Sequence, residues 1–140
     1  MVPKGFQQYK EQAVNTMTPE ELLQLLYSEA LKRMTQAELA LDKENYPVFE
    51  ASLDRAIDIL NYLDDTLDRR FEISAQLTRL YDYFTYELGR AKIGRRKEPI
   101  LEVHSRVKEL QDTFRDAQAI AAAGPSAREK QAAGETVAEE

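Results

Sequence analysis

The chain has 140 residues, of which 43% are hydrophobic and 31% charged, with a formal net charge of −6, no cysteine and one histidine. That length fits one domain with a single core, and the absence of cysteine excludes disulfides, zinc–thiolate centres and thiol catalysis. The negative balance argues against nucleic acid or an anionic membrane as the main partner. No apolar run approaches the span of a bilayer, and the N-terminal MVPKGFQQYKEQAV lacks a secretory apolar stretch. The expectation is an acidic, cytoplasmic, all-α domain, with no membrane insertion and no nucleic acid among its partners.

Residues 1–17 contain Phe6, Tyr9, Val14 and Met17 at spacings that let a short helix present some of them to a neighbour. So short a segment is marginal alone, so it is expected to dock as a displaceable latch. The first long helix is announced by Thr18-Pro19-Glu20-Glu21, an N-cap, a proline in the first turn and the glutamate of a capping box. Leu23, Leu26, Ala30, Met34, Ala37 and Leu41 then recur at helical spacing. The pattern breaks over 42–47, where Asn45 is placed to cap a second helix with the stripe Phe49, Leu53, Ile57, Leu60, Leu63 and Leu67.

Asp68-Arg69-Arg70 marks a turn. A third helix follows with Ile73, Leu77, Leu80, Phe84, Leu88 and Ala91 inside, stopping near Gly94. A fourth starts near Glu98-Pro99 and runs through Ile100, Val103, Val107, Leu110, Phe114, Ala117 and Ala121 to Gly124-Pro125. Helices of similar length joined by short connections predict an antiparallel up-down four-helix bundle with a short N-terminal helical segment. The bundle is expected over 18–122, the latch over 1–17, and a disordered acidic tail over 123–140.

Catalytic chemistry is hard to find. One histidine cannot supply a di-iron bundle site, and neither a nucleophile elbow nor a phosphate-binding glycine loop is present. His104 stands beside Ser105, Arg106 and Lys108, so a phosphoacceptor role is the alternative to that of a histidine flanking the Val103–Val107 stripe. Asp64, Asp65 and Asp68 lack the loop of a calcium site and read as a solvated face. The cations Arg90, Lys92, Arg95, Arg96 and Lys97 fall where the third helix ends and complement its dipole, with docking of an acidic partner as the alternative. No enzyme activity, cofactor or metal is expected.

What stands out is apolar surface left over from the core. Leu25, Tyr27, Leu31 and Leu39 lie off the stripe of the first long helix. Val48, Ile59 and Tyr62 form a displaced row on the second, and Tyr83 and Tyr86 do so on the third, within LYDYFTYEL. Contiguous apolar surface on a domain of this kind marks a partner site, and tyrosine suits it with an apolar ring and a polar tip. An amphipathic peptide is the expected ligand, with Leu25, Tyr27, Leu31, Val48, Ile59, Tyr62, Tyr83 and Tyr86 as its contacts.

These residues also carry a resemblance. Gly5-Phe6-Gln7-Gln8-Tyr9, Thr18-Pro19-Glu20-Glu21-Leu22, Leu25-Leu26-Tyr27-Ser28-Glu29-Ala30, Glu72-Ile73-Ser74-Ala75-Gln76-Leu77 followed by Leu80-Tyr81-Asp82-Tyr83-Phe84, and Asp112-Thr113-Phe114-Arg115-Asp116-Ala117 stand in the order of the flagellin export chaperone family, FliS. The chain resembles that family from about residue 5 to about residue 117, the LYDY segment after EIxxxL being its most specific part. It departs at Arg70-Phe71, where a glycine pair is usual, and at Phe114, where a tryptophan is usual.

The resemblance implies a cytoplasmic, non-enzymatic chaperone. It would bind the disordered C-terminal segment of flagellin, block premature polymerisation and present the subunit to the flagellar type III export gate. It also implies that the latch, with Phe6 and Tyr9 as the matching positions and Val14 expected beside them, covers part of the client surface. A monomer or weak homodimer is expected, since exposed apolar surface can pair two copies. The alternatives are a histidine phosphotransfer protein using His104 and a helical adaptor for another client.

Overall fold

The computed structural model describes residues 16–123. The expected latch residues Phe6, Tyr9 and Val14, and the tail from Gly124 onward, lie outside the described residues. Four helices make up the described part: α1 Pro19–Asp42, α2 Tyr46–Asp65, α3 Ile73–Gly94 and α4 Glu98–Ala123. No strand occurs among the described residues, and no helix there is long and apolar enough to cross a membrane.

The helix ends follow local chemistry. Thr18 Oγ1 accepts from the Glu21 N–H at 3.1 Å, with Pro19 in the first turn, so the predicted cap of α1 forms. Asn45 Oδ1 accepts from the Val48 N–H at the start of α2. Helix α3 stops at Gly94 because Arg95 turns left-handed (φ 51°) and its N–H closes on Ala91 O. The start of α3 has no side-chain cap; instead Ser74 Oγ donates to Asp68 O, and the N–H groups of Ser74 and Ala75 close short turns on Phe71 and Glu72.

The helices form a closed ring, α1 on α2, α2 on α3, α3 on α4 and α4 on α1. Gln118 Nε2 donates to Glu20 O and Gln24 Nε2 to Gln111 O, while Asp42 pairs with Lys97 at the other end, so α1 and α4 run in opposite senses. Likewise Thr78 donates to Asp64 and Lys92 to Asp54, both at 2.8 Å, setting α3 antiparallel to α2. Each remaining connection, 43–45 and 95–97, is short enough to reverse the chain directly.

The core contains Tyr27, Met34, Phe49, Leu53, Leu60, Tyr81, Phe84, Leu88, Ile100, Val103 and Val107, all nearly or fully buried, with Ala30, Ala37, Ala56 and Ala91 between them. Burying each large side chain contributes on the order of 1.5–3 kcal/mol. Three predicted stripes need correction. On α1 the innermost line is Tyr27, Ala30, Met34, Ala37 and Ala40, with Leu23, Leu26 and Leu41 only packed against its edge. On α3, Ile73 is 52% exposed, because it is the first residue of the helix and Ser74 takes the inward position. Ala117 and Ala121, expected inside α4, are exposed near its end.

Candidate functional site

The apolar side chains outside the core are not scattered evenly. At the end where α1 begins and α2 finishes, a cavity of about 320 Å³ is lined by Leu22, Leu23, Leu26, Tyr62, Leu67 and Phe114, with Tyr27 and Tyr81 bordering it from the core. A neighbouring groove of about 550 Å³ between α1 and α4 shares Leu23 and Phe114 with it and continues over Ala117 and Ala121. Together they make one apolar surface beside the point where residues 1–15 join the bundle.

Along the α1–α2 seam lies a second groove of about 470 Å³, walled by Leu39, Ala40, Val48, Ala51 and Ser52 and edged by Arg33, Lys43 and Arg55. Ile59 stands four residues after Arg55 and three before Tyr62, so helical spacing places it between the two cavities. Leu25 stands three residues after Leu22 and is half-buried. Of the predicted set, Val48 and Tyr62 line the two grooves, 46% and 48% exposed, Ile59 is half-buried against the core between them on α2, and Leu25 lines neither groove.

The other predicted residues go elsewhere. Leu31 is half-buried one turn before Thr35, whose hydroxyl lies 3.4 Å from His104 Nε2, so it faces α4. Tyr83 and Tyr86 lie on the outer side of α3, 40% and 66% exposed, the Tyr83 ring tilted 5.9 Å from that of Phe84. Tyr81 and Phe84 are core residues, as their spacing required.

Tyr27 is a correction. It was expected on the surface and is fully buried, its ring stacked on Phe114 at 6.1 Å and its hydroxyl 2.6 Å from that of Tyr81. Burial pushes both phenols above their ordinary value. On a helical wheel Tyr27 looked like a flank because the leucines beside it were given the centre. The partner that draws it inward is on another helix.

The charged features are also engaged within the chain. Arg90 pairs with Glu87, Lys92 with Asp54, Arg96 with Glu98 and Lys97 with Asp42, and Arg95 stacks over the Tyr46 ring at 3.6 Å. The basic run therefore ties helix ends together. Asp64 accepts from Arg69 and Thr78, and Asp68 pairs with Arg70. His104 is half-buried against α1, within reach of Thr35 rather than of the neighbouring cations. The arrangement offers grooves for a chain to lie in, and no cluster of side chains poised for bond chemistry among the described residues.

The family model of the flagellar protein FliS matches residues 3–121. The chain belongs to the FliS family. It is 32% identical over 109 residues to the flagellar secretion chaperone FliS of Bacillus subtilis (strain 168), covering 78% of this chain and 82% of that protein. Similarity to the flagellar secretion chaperone FliSB of Pseudomonas aeruginosa is 31% over 113 residues, covering 76% and 90%. For FliS of Vibrio cholerae it is 25% over 116 residues, covering 79% and 85%. The family is one of flagellar chaperones and not of enzymes, which sets aside phosphotransfer at His104.

Sequence reasoning missed Leu23, Leu26 and Phe114 as cavity walls because it counted them as core, and it gave Leu22 no place in either core or site. It also missed Arg33 and Lys43. Their signal was present in the spacing Arg33, Gln36, Ala40, Lys43, which repeats at three and four residues and follows one edge of α1.

Proposed function

We propose that this FliS-family chain is an export chaperone that holds the C-terminal segment of flagellin in the grooves of the bundle surface. The observation that supports it best is the pair of apolar grooves on the α1 and α2 surface, the end cavity walled by Tyr62 and the seam groove walled by Val48, with Ile59 between those two residues along α2. A few large side chains, each contributing about 1.5–3 kcal/mol on burial, offset the roughly 2–5 kcal/mol that ordering a disordered segment costs. Leu25, Tyr62, Val48 and Ile59 form the main contact, and Leu31, Tyr83 and Tyr86 are subsidiary. Tyr27 contributes from beneath, as a wall of the end cavity.

In this reading the chaperone acts in the cytoplasm, keeps flagellin from polymerising early and delivers it to the type III export apparatus. Residues 1–17 precede α1, whose first turn borders the end cavity, and in this reading Phe6, Tyr9 and Val14 compete with client side chains for it. The same surface allows weak self-association when no client is present.

Calorimetric titration with the C-terminal segment of the same organism's flagellin tests this reading. It expects a one-to-one complex with a strongly negative heat-capacity change; a folded protein that binds nothing would overturn it. Removing residues 1–17 should tighten binding or leave it unchanged, and a large loss would make the segment part of the site rather than a latch.

A further inference from the structure

The groove over Leu39 and Val48 has a charge opposite to that of the molecule. The chain carries a net −6, yet Arg33, Lys43 and Arg55 edge this groove and no carboxylate lines it. Unlike Arg90, Lys92, Arg96 and Lys97, Lys43 and Arg55 pair with no acid among the described residues. Arg33 reaches Gln36 at 3.1 Å and Glu29 at 3.7 Å, but its Nε is buried without an acceptor. A buried donor left in this way is costly. Three cations beside exposed apolar side chains fit an acidic segment bearing a small aliphatic residue.

We propose that the groove is the docking site of the chain's own C-terminal segment, residues 135–140, reading Glu135-Thr136-Val137-Ala138-Glu139-Glu140. This stretch has three glutamates, one valine and no cation. Its length of chain fits. Gln118 touches Glu20, so the end of α4 lies beyond the start of α1. From Ala123 to the level of Arg33 is about 27 Å along the bundle at 1.5 Å per residue, plus roughly one helix width of about 10 Å across α1.

The chain from Ala123 to Glu135 spans up to about 40 Å and that to Glu139 about 53 Å. Glu135 therefore comes level with Arg33 and Arg55, and Glu139 and Glu140 with Lys43, which lies about 15 Å further along α1. Charges follow one another in the same order along the segment and along the groove, with Val137 between them facing Leu39 and Val48. Tethering keeps the local concentration of the segment high, while exposed ion pairs keep the contact weak and sensitive to salt. A client reaching Val48 has to displace it. The inference does not depend on what that client is.

The chain has no cysteine, so Ala138→Cys in the full-length protein accepts a single nitroxide label. At low salt the label is expected to broaden the backbone amide signals of Arg33, Lys43, Val48 and Arg55. The broadening should fade at high salt and in the Lys43→Glu/Arg55→Glu variant. A helical melt unchanged by that double substitution separates lost docking from lost fold, and Ala138→Cys on a chain with Glu135, Glu139 and Glu140 changed to Gln gives the same readout with an unaltered groove. Broadening confined to other surfaces, or none at low salt, overturns the proposal. So does broadening that appears on unlabelled-tail molecules mixed with labelled ones, which would make the occupant a second copy.

Discussion

The hydroxyls of Tyr27 and Tyr81 lie 2.6 Å apart inside the bundle, joining α1 to α3 across its diagonal. Either can donate to the other, and both are shut away from solvent. Removing one hydroxyl strands the other. Tyr27→Phe or Tyr81→Phe alone should therefore cost about 1–3 kcal/mol, while the double variant should return close to the parent, because replacing both partners leaves nothing unsatisfied. Denaturant melts of the three variants give the coupling directly. Additive losses would mean that the pair contributes no mutual stabilisation.

The same pair makes stability fall in alkali. Burial holds the Tyr27 phenol well above its ordinary value of 10.0, and the Tyr81 hydroxyl adds to the shift; Tyr81 is raised by burial although the bond from Tyr27 pulls the other way. Above pH 10 an unfolded tyrosine loses its proton and a folded one here keeps it, so the native state binds more protons. The contribution is fully present below about pH 10 and is lost as pH rises beyond it. Melts on either side of pH 10 should show this decline, and Tyr27→Phe/Tyr81→Phe should flatten it.

How far the sequence foretold the structure depended on where each signal lived. Thr18, Asn45 and Gly94 marked helix ends correctly because a cap is satisfied within three or four residues. On the inner face of α1, Ala30, Met34 and Ala37 were legible, but Tyr27 and Ala40 were passed over for Leu23, Leu26 and Leu41 because leucine outranks tyrosine and alanine on any scale of apolarity. The centre belongs to Tyr27, Ala30 and Ala37, where small side chains admit close neighbours and a partner hydroxyl waits on α3. Val48, Tyr62, Tyr83 and Tyr86 were legible as leftover apolar surface, since their spacing sets them off the stripe. That Val48 and Tyr62 share one seam while Tyr83 and Tyr86 occupy another side was not, because helix order around a bundle is a tertiary fact. Likewise the basic run reads as a patch in one dimension, whereas its acids come from α1, α2, α3 and the start of α4.

Arg95 combines a strained backbone with a favourable side chain. Its left-handed conformation, at φ 51° and ψ 52°, ends α3, and its guanidinium covers Tyr46 at the start of α2. Arg95→Ala keeps the strain and loses the stacking, which is worth about 0.5–1 kcal/mol at an exposed position. Arg95→Gly loses the same contact but relieves roughly 1–2 kcal/mol of left-handed strain. Glycine should therefore be the more stable of the two variants by about 1 kcal/mol, after its greater freedom in the unfolded chain is subtracted. Thermal melts decide it; equal stabilities would mean that the αL turn relaxes when the ring contact is gone.

The two exposed apolar regions can be separated by substitution. Val48→Ala/Tyr62→Ala acts on the α1–α2 seam, and Tyr83→Ala/Tyr86→Ala on the outer side of α3. All four side chains are substantially exposed, so either pair should change the helical melt little. A client lying along the seam should lose at least about 2 kcal/mol of affinity with the first pair, roughly thirtyfold, given the burial contribution of each large side chain. The second pair should cost less than a third of that if it touches only the margin of the client. Calorimetry with the flagellin segment reads both. Equal losses would mean that the client wraps from the seam onto α3, and a dominant loss at Tyr83 and Tyr86 would move the main contact there. A cooperative drop in melting temperature with the second pair would instead show that Tyr83, through its packing on Phe84, supports the core.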